Sequence, residues 1–184
     1  MQLKNYGYTH LFLVQNNLGY VVKKQLVIKD VPYIKLFKNE QSFCNKLKHK
    51  NIIDCLKFDE DNIFFEYAFF KDLNTFMYQN KMLFLEYRDY FVKKIVEGLE
   101  YLHSLNIVHN DLKLDNLLIT KEKKLKISDF GLTQYEGSDF FEQMPDYIFQ
   151  GTYSVNKPKK FSKKPEKSED IYALGMILYE MYTF

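Results

Sequence analysis

The sequence predicts an α+β fold, with a strand-rich first third followed by a mainly helical remainder. Short β-rich runs bounded by turns occupy the first part, while apolar residues recur at helical spacing over residues 86–103. A closing segment, residues 169–182, is apolar on nearly every side, as a helix buried in a core would be. Hydrophobic residues make up 46% of the 184 positions, enough for the core of one domain or a small two-lobed one.

The strands of the first third can be read in order. Residues 10–14 are β-rich, residues 16–19 carry a turn signal, and residues 20–23 resume the strand, with residues 26–28 continuing the same sheet. A later strand at residues 63–67 follows an acidic turn. Between them, residues 33–48 favour a helix whose buried positions are expected to be Ile34, Phe37, Phe43 and Leu47.

The second part is read as helix, two short strands and helix. The helix over residues 86–103 precedes strands at residues 117–120 and 125–128, which a charged turn separates. No periodicity is convincing between residues 131 and 168. A stretch of that length exceeds ordinary connections and is expected to be functional or disordered.

Charge and cysteine content exclude several classes. The net charge of +2 implies no polyanionic partner, and only Arg88 among 26 basic residues is arginine, which argues against nucleic-acid binding. The sequence begins with no apolar leader and contains no long apolar run, so neither a signal peptide nor a membrane span is expected. Cys44 and Cys55 are expected to be free thiols in a reducing compartment, so cytoplasm or nucleus is the expected location.

The strongest chemical signal lies between the second helix and the strand at residue 117. Residues 109–116 read HNDLKLDN, which brings Asp111, Lys113 and Asn116 together on one loop, and Asp129 heads a DFG triplet after the next strand. An aspartate can accept a hydroxyl proton, a lysine can neutralise a phosphate, and amide and carboxylate oxygens can ligate Mg²⁺. Any one of these residues alone would more often be a turn or cap residue. Their joint spacing indicates a phosphoryl-transfer site.

These motifs resemble those of the protein kinase family, specifically its Ser/Thr branch. The resemblance runs from about residue 4 to the end of the chain. It implies a two-lobed fold: a small antiparallel β-rich lobe with one helix over about residues 1–67, a hinge near 66–71, and a partial, mainly helical lobe over about 72–184. The helices that close the family's second lobe are absent from this sequence.

The resemblance also implies a nucleotide site. Residues 20–23 read YVVK, similar to the family's third-strand motif, so Lys23 is expected to contact ATP phosphates and to pair with Glu40 on the helix. Residues 63–68 resemble the strand that enters the hinge, which makes Glu66 and Ala68 backbone partners of adenine. Leu118 is expected to bind ATP as well.

Catalytic roles follow from the same resemblance. Asp111 would accept the substrate hydroxyl proton, Lys113 would stabilise the transferred group, and Asn116 with Asp129 would hold Mg²⁺. Thr152, in a GTYSVNKPK segment, would lie beside the protein substrate. His109 is expected to be a structural residue touching the phenylalanine of the DFG triplet. Asp170 would pin the backbone of the catalytic loop, a role compatible with that of an ordinary N-terminal helix acid.

Four departures from the family pattern leave alternatives open. The three phosphate-loop glycines are replaced by Lys4, Tyr6 and Thr9, the catalytic-loop arginine by Asn110, and the glutamate of the APE motif by Lys159, while the chain stops after the apolar helix. An active Mg-ATP-dependent Ser/Thr protein kinase is the main hypothesis. A catalytically inactive pseudokinase that binds nucleotide or protein is the alternative, and a small-molecule phosphotransferase is a third.

The closing helix suggests a partner. If it lacks the neighbours that the family provides, Ile171, Leu174 and Leu178 would leave an apolar patch exposed. The sequence therefore predicts self-association or a protein partner that covers this helix, besides a protein substrate.

Overall fold

A five-stranded antiparallel sheet forms the first part of the chain. The computed structural model describes residues 1–17, 19–145 and 164–184. The sheet has the spatial order β1-β2-β3-β5-β4. Its strands are β1 (Gln2–Tyr6), β2 (Thr9–Asn16), β3 (Gly19–Leu26), β4 (Cys55–Phe58) and β5 (Asn62–Glu66).

Strand register decides which side chains of β3 face the interior. Strand β2 pairs with β3 along its whole length, from Thr9 opposite Leu26 to Asn16 opposite Gly19. Side chains alternate between the two faces of a strand. Lys24 and Leu26 are buried, and the neighbouring Lys23 therefore faces the other way.

One helix, α1 (Val31–Cys44), packs against this sheet. Pro32 lies in its first turn, where the missing backbone N–H costs no helical hydrogen bond. Its inner face buries Leu36, Phe37 and Phe43, together with the charged Glu40. An acid within an apolar face needs a cation beside it, and α1 brings Glu40 to the sheet for that purpose.

The remainder of the described chain is mainly helical. It contains α2 (Leu73–Gln79), α3 (Lys81–Ser104) and α4 (Lys167–Thr183), with short strands β6 (Ile107–Val108), β7 (Leu117–Ile119), β8 (Leu125–Ile127) and β9 (Gln134–Tyr135). Strands β7 and β8 form an antiparallel hairpin, and β6 pairs antiparallel with β9, which follows later in the chain. The catalytic motif lies between β6 and β7, and the DFG triplet follows β8.

The predicted α+β class is confirmed. The helix predicted over residues 33–48 ends at Cys44, and the one predicted over 86–103 begins earlier, at Lys81. Strand β3 stops at Leu26, so residues 27–28 do not extend it. Helix α2 and strands β1, β4, β6 and β9 were not predicted, because each is short and depends on the elements it packs against. The predicted lobe boundaries stay a prediction.

The expectation of free thiols is wrong. Cys44 and Cys55 form a disulfide, with a Cα–Cα distance of 5.2 Å. The last turn of α1 and the first residue of β4 lie side by side, which the linear sequence does not reveal. The bond ties the helix that carries Glu40 to the edge of the sheet.

Helix α4 buries one stripe rather than its whole surface. Ala173, Ile177 and Met181 are buried, while Ile171 is 54% exposed. That a protein partner or a second copy covers the exposed face stays a prediction. Within the described ranges, no helix combines the length and apolar character that crossing a bilayer requires.

Candidate active site

An open cleft lies between the sheet and the helical part. Apolar atoms make up most of the surface that lines it, and the lining residues include apolar side chains from both parts together with charged and amide groups. Such a lining is typical of small-molecule sites. The cleft is lined by Leu11, Val22, Lys24, Glu40, Ile53, Phe65, Asp115, Asn116, Leu118, Ser128 and Asp129.

The amine in the cleft belongs to Lys24, not to Lys23. Lys24 Nζ lies 2.7 Å from Glu40 Oε2 and 3.0 Å from Asp129 Oδ1. Lys23 faces away from the cleft, where its amine donates to Gln25 at 3.1 Å and lies 4.8 Å from the ring centroid of Phe12. The prediction was therefore right about Glu40 and wrong about its partner. Strand alternation places even-numbered residues of β3 inward, as the apolar Val22 and Leu26 could have indicated.

Burial and charge compete in this ion triad. Burial by itself lowers the pKa of Lys24, but Asp129 and Glu40 outweigh it and raise that pKa well above its ordinary value. Burial raises the pKa of Glu40, with Lys24 acting in the opposite direction. Burial also acts to raise the pKa of Asp129, yet Lys24 together with Lys113 and His109 more than offsets it, and the pKa of Asp129 falls below its usual value. Lys24 is thus a permanent cation in the cleft.

The predicted catalytic residues of the loop after β6 lie together. Lys113 Nζ is 2.7 Å from Asp111 Oδ2. Asn116 Nδ2 donates to the carbonyl of Asp111 at 2.7 Å and to its Oδ2 at 2.9 Å, which leaves Asn116 Oδ1 as the atom able to ligate a cation. A short 3₁₀ turn, Leu114–Asn116, brings the amide back toward the aspartate.

Asp111 has the environment of a base. Burial raises the pKa of Asp111, with Lys113 opposing and the negative charge of Asp129 reinforcing that shift. Its second oxygen, Oδ1, is buried and has no hydrogen-bond partner among the described residues. An unpaired carboxylate oxygen in a buried position is costly unless a ligand supplies the missing donor.

Asp170 at the start of α4 holds the catalytic loop by its backbone. Its two carboxylate oxygens accept from the N–H groups of His109 at 2.8 Å and Asn110 at 3.0 Å, and His103 Nε2 lies 2.9 Å away. Asp170 is only 1% exposed. The role expected for Asp170 is confirmed.

His109 is a structural residue, as predicted. Its ring is fully buried, its Nε2 lies 3.0 Å from the Ser128 carbonyl, and its Nδ1 accepts from the N–H of Asp111 at 3.2 Å. The ring meets Phe130 edge-on at 5.3 Å between centroids. His109 therefore joins the catalytic loop to the DFG triplet, whose Asp129 adopts a left-handed φ of 65° and keeps its side chain 37% exposed at the cleft.

The comparisons with known proteins agree with this geometry. The family model described as the protein kinase domain matches residues 7–184. The chain belongs to the protein kinase family. Among its relatives, this kinase domain is 32% identical over 170 residues to the mitogen-activated protein kinase kinase kinase dlk-1 of Caenorhabditis briggsae, covering 90% of this chain and 19% of that protein.

Two further relatives come from different branches of the kinase family. Identity is 33% over 184 residues to the serine/threonine-protein kinase plk-2 of Caenorhabditis elegans, covering 94% of this chain and 28% of that protein. Identity is 32% over 169 residues to the G-type lectin S-receptor-like serine/threonine-protein kinase At1g61480 of Arabidopsis thaliana, covering 80% of this chain and 19% of that protein. The chain thus spans about a fifth to a quarter of the length of these relatives.

The phosphate-loop position of this kinase domain is occupied by a tight turn and a tyrosine that sequence reasoning missed. Gly7, with a φ of 51°, turns the chain between β1 and β2. The ring of Tyr8 stacks on that of Tyr33 in α1, with 4.9 Å between the centroids. The Tyr8 hydroxyl reaches Gly131 of the DFG triplet so closely that a Cβ at that position would lie 3.3 Å from it. Burial raises the pKa of Tyr8 although Lys24 opposes that shift, so the phenol stays neutral. An aromatic residue directly after the lone glycine was the available signal.

The residues expected to bind adenine lie near the end of β5. Leu118 lines the cleft, as does Val22. The side chain of Glu66 pairs with Lys126 at 2.7 Å, and the carbonyl of Ala68 accepts from Lys71 at 3.1 Å. Contacts of Glu66 and Ala68 with adenine stay a prediction. Thr152 and Lys159 lie outside the described residues.

Proposed function

We propose that this domain transfers the γ-phosphoryl group of ATP to Ser or Thr hydroxyls of protein substrates, with Mg²⁺ as cofactor. The observation that carries the proposal is the convergence of Lys24, Glu40 and Asp129 in the cleft that also contains Asn116. Asp111 and Lys113 lie on the adjoining loop. Phosphoryl transfer depends mainly on positioning and charge neutralisation, which these groups supply.

The donor set fits ATP and Mg²⁺. Asn116 Oδ1 and the carboxylate of Asp129 are the hard oxygen ligands that Mg²⁺ takes, and Lys24 carries the charge that phosphate oxygens need. The apolar walls, with Leu11 and Leu118 among them, suit a flat purine ring. When bound, the cation would neutralise charge that develops on the transferred group.

The residues of the chain divide the remaining work. Asp111, whose pKa is raised by burial, accepts the proton of the attacking hydroxyl through its unpaired Oδ1. Lys113, 2.7 Å from the other oxygen of Asp111, neutralises charge on the transferred phosphoryl group. Asp170 keeps the loop backbone in place throughout.

A radiometric assay with Mg-ATP and generic basic protein substrates tests the proposal. The wild-type domain should phosphorylate Ser or Thr, and Asp111→Asn should lose at least about a hundredfold in rate. Asp89→Asn, the same change at an exposed position of α3 that does not line the cleft, is the control and should keep most of the activity. Equal signals from wild type and Asp111→Asn would contradict catalysis. Nucleotide binding without turnover would favour the pseudokinase alternative, which the missing phosphate-loop glycines motivate.

A further inference from the structure

A side-chain amide on α1 reaches across to the backbone that follows the DFG triplet. Asn39 Nδ2 donates to the carbonyls of Thr133 at 2.8 Å and Gly131 at 3.0 Å. Its Oδ1 accepts from Gln134 Nε2 at 2.9 Å, and the Oε1 of that glutamine accepts from Ser138 at 3.1 Å. Both the nitrogen and the oxygen of the Asn39 amide are therefore hydrogen-bonded, and the bond from Gln134 fixes which of them faces the backbone carbonyls.

The catalytic loop holds the same segment from the opposite side. Asn110 Nδ2 donates to the carbonyl of Leu132 at 2.8 Å. Thr133 Oγ1 donates to the carbonyl of His109 at 3.2 Å, and the Thr133 N–H bonds to the carbonyl of Phe130 at 3.2 Å. Every carbonyl from residue 130 to residue 133 therefore accepts a hydrogen bond, and buried backbone groups require this when no regular strand pairs them.

The three amide side chains are uncharged at every pH at which proteins fold. Asn110 stands where the family pattern described above has the catalytic-loop arginine, so this position carries no positive charge here. Asn110 adopts a left-handed φ of 65°, which asparagine tolerates, and its side-chain nitrogen donates to two backbone carbonyls. The segment is held by neutral donors that need no phosphate to complete them.

We propose that Asn39 is a positioning residue which, with Gln134 and Asn110, keeps residues 130–134 ordered and Asp129 directed at the cleft without phosphorylation of the chain. Asn39 precedes Glu40, so one turn of α1 aligns both the lysine–glutamate pair and the DFG segment. The proposal concerns regulation of the site and rests on the proposed kinase activity. Its structural part can be measured without turnover.

The decisive variant is Asn39→Asp, which keeps the shape of the side chain and its acceptor for Gln134 but cannot donate to the two carbonyls. We expect kcat to fall at least about tenfold while KM for the peptide substrate changes little, because the substrate site is untouched. The matched control is Gln41→Glu, the same change two residues along α1, where the amide donates to the Asp59 carbonyl instead. It should keep kcat within about twofold of wild type.

Hydrogen exchange measured by mass spectrometry provides the readout that does not depend on activity. In the unliganded, dephosphorylated wild-type protein, peptides covering residues 129–136 should be protected, and Asn39→Asp should speed their exchange at least about tenfold, with no change in Gln41→Glu. Asn39→Ala serves the same purpose if the aspartate variant does not fold. Unchanged exchange in the variant that folds would overturn the proposal.

Phosphatase treatment tests the regulatory part. The dephosphorylated wild-type domain, verified by intact mass, should retain its activity within about twofold. A loss of tenfold or more would overturn the proposal while leaving the kinase function standing. If the wild type shows no turnover at all, the proposed function fails, and the exchange measurement still decides whether Asn39 positions the segment.

Discussion

At the scale of single residues, the site depends on one buried amine. Lys24 is 7% exposed and has two carboxylates within 3.0 Å. Removing a buried charge from water is expensive unless partners with good geometry surround it, and Glu40 and Asp129 provide that geometry. Because the same amine faces the cleft, the interaction that stabilises the fold also places positive charge where nucleotide phosphates would lie.

Adjacent lysines allow this assignment to be tested with a matched pair. Lys24→Met should lower kcat/KM for ATP at least about a hundredfold, since it removes a charge that acts on the phosphates. Lys23→Met should stay within about threefold of wild type, because that side chain faces Phe12 on the other side of the sheet. Steady-state kinetics with varied ATP measure both. A larger loss from Lys23→Met would contradict the assignment to Lys24.

The raised pKa of Asp111 predicts a pH dependence. Only the ionised carboxylate accepts a proton, so activity should fall on acidification through the raised pKa, above the ordinary aspartate value of about 3.9. Lys113 lowers that pKa, so Lys113→Met should move the acid limb of kcat/KM to higher pH. Profiles from pH 5 to 8, each relative to Lys121→Met as a surface-lysine control, measure the shift. An acid limb that moves to lower pH would contradict this role of Lys113.

At the scale of elements, helix α1 carries three attachments within its last two turns. Glu40 joins it to β3, Asn39 joins it to the segment after Asp129, and Cys44 joins it to β4. A helix held at three points presents its carboxylate in one orientation. Contacts to three different parts of the chain therefore fix where α1 lies, and the placement of α1 determines whether Glu40 reaches Lys24.

The disulfide between α1 and β4 should contribute measurably to stability. Its ends are separated by 11 residues, and cross-linking a loop of that size stabilises a protein by about 2–3 kcal/mol in the chain-entropy account. Denaturant unfolding with and without a reductant measures the difference. The double variant Cys44→Ala, Cys55→Ala should show no effect of the reductant. If the intact mass of the wild-type protein kept without reductant equals that of the chain with two free thiols, the disulfide is contradicted.

At the scale of the whole molecule, the cleft is shared by the two parts of the chain. Val22 and Leu11 come from the sheet, while Leu118 and Asn116 come from the helical part. A ligand that contacts both walls links them, and a ligand that binds only the folded protein stabilises it by mass action. Ligand binding should therefore raise the free energy of unfolding of the whole domain.

Mg-ATP is expected to raise the melting temperature of the domain. At a ligand concentration of a hundred times Kd the gain is about 2.7 kcal/mol, which is several degrees for a chain of this size. Removing the cation with EDTA should reduce the shift, because Asn116 and Asp129 would hold the cation and the negative charge of the triphosphate would no longer be neutralised beside them. Differential scanning fluorimetry measures both conditions, with Lys24→Met as the variant expected to lose most of the shift. Equal shifts with and without the cation would contradict a metal site.

Local motifs and strand alternation made much of this molecule predictable from its sequence. Asp111, Lys113 and Asn116 lie within six positions of one another, so their proximity follows from the chain itself. Helices α1, α3 and α4 and strands β2, β3, β5, β7 and β8 follow from short-range apolar patterns. Elements such as α2 and β4 escaped because four to seven residues hold too little pattern to outweigh their surroundings.

The proposed chemistry could be predicted from the chain alone, since the groups expected to carry it occupy contiguous motifs with recognisable spacing. Packing of the elements settles which of two adjacent lysines reaches Glu40, that Cys44 meets Cys55, and that Asn39 binds the carbonyls of a distant segment. For the lysines this is because a shift of one residue in a strand reverses the face on which a side chain lies. Contacts between residues far apart in sequence exist only once the elements have packed.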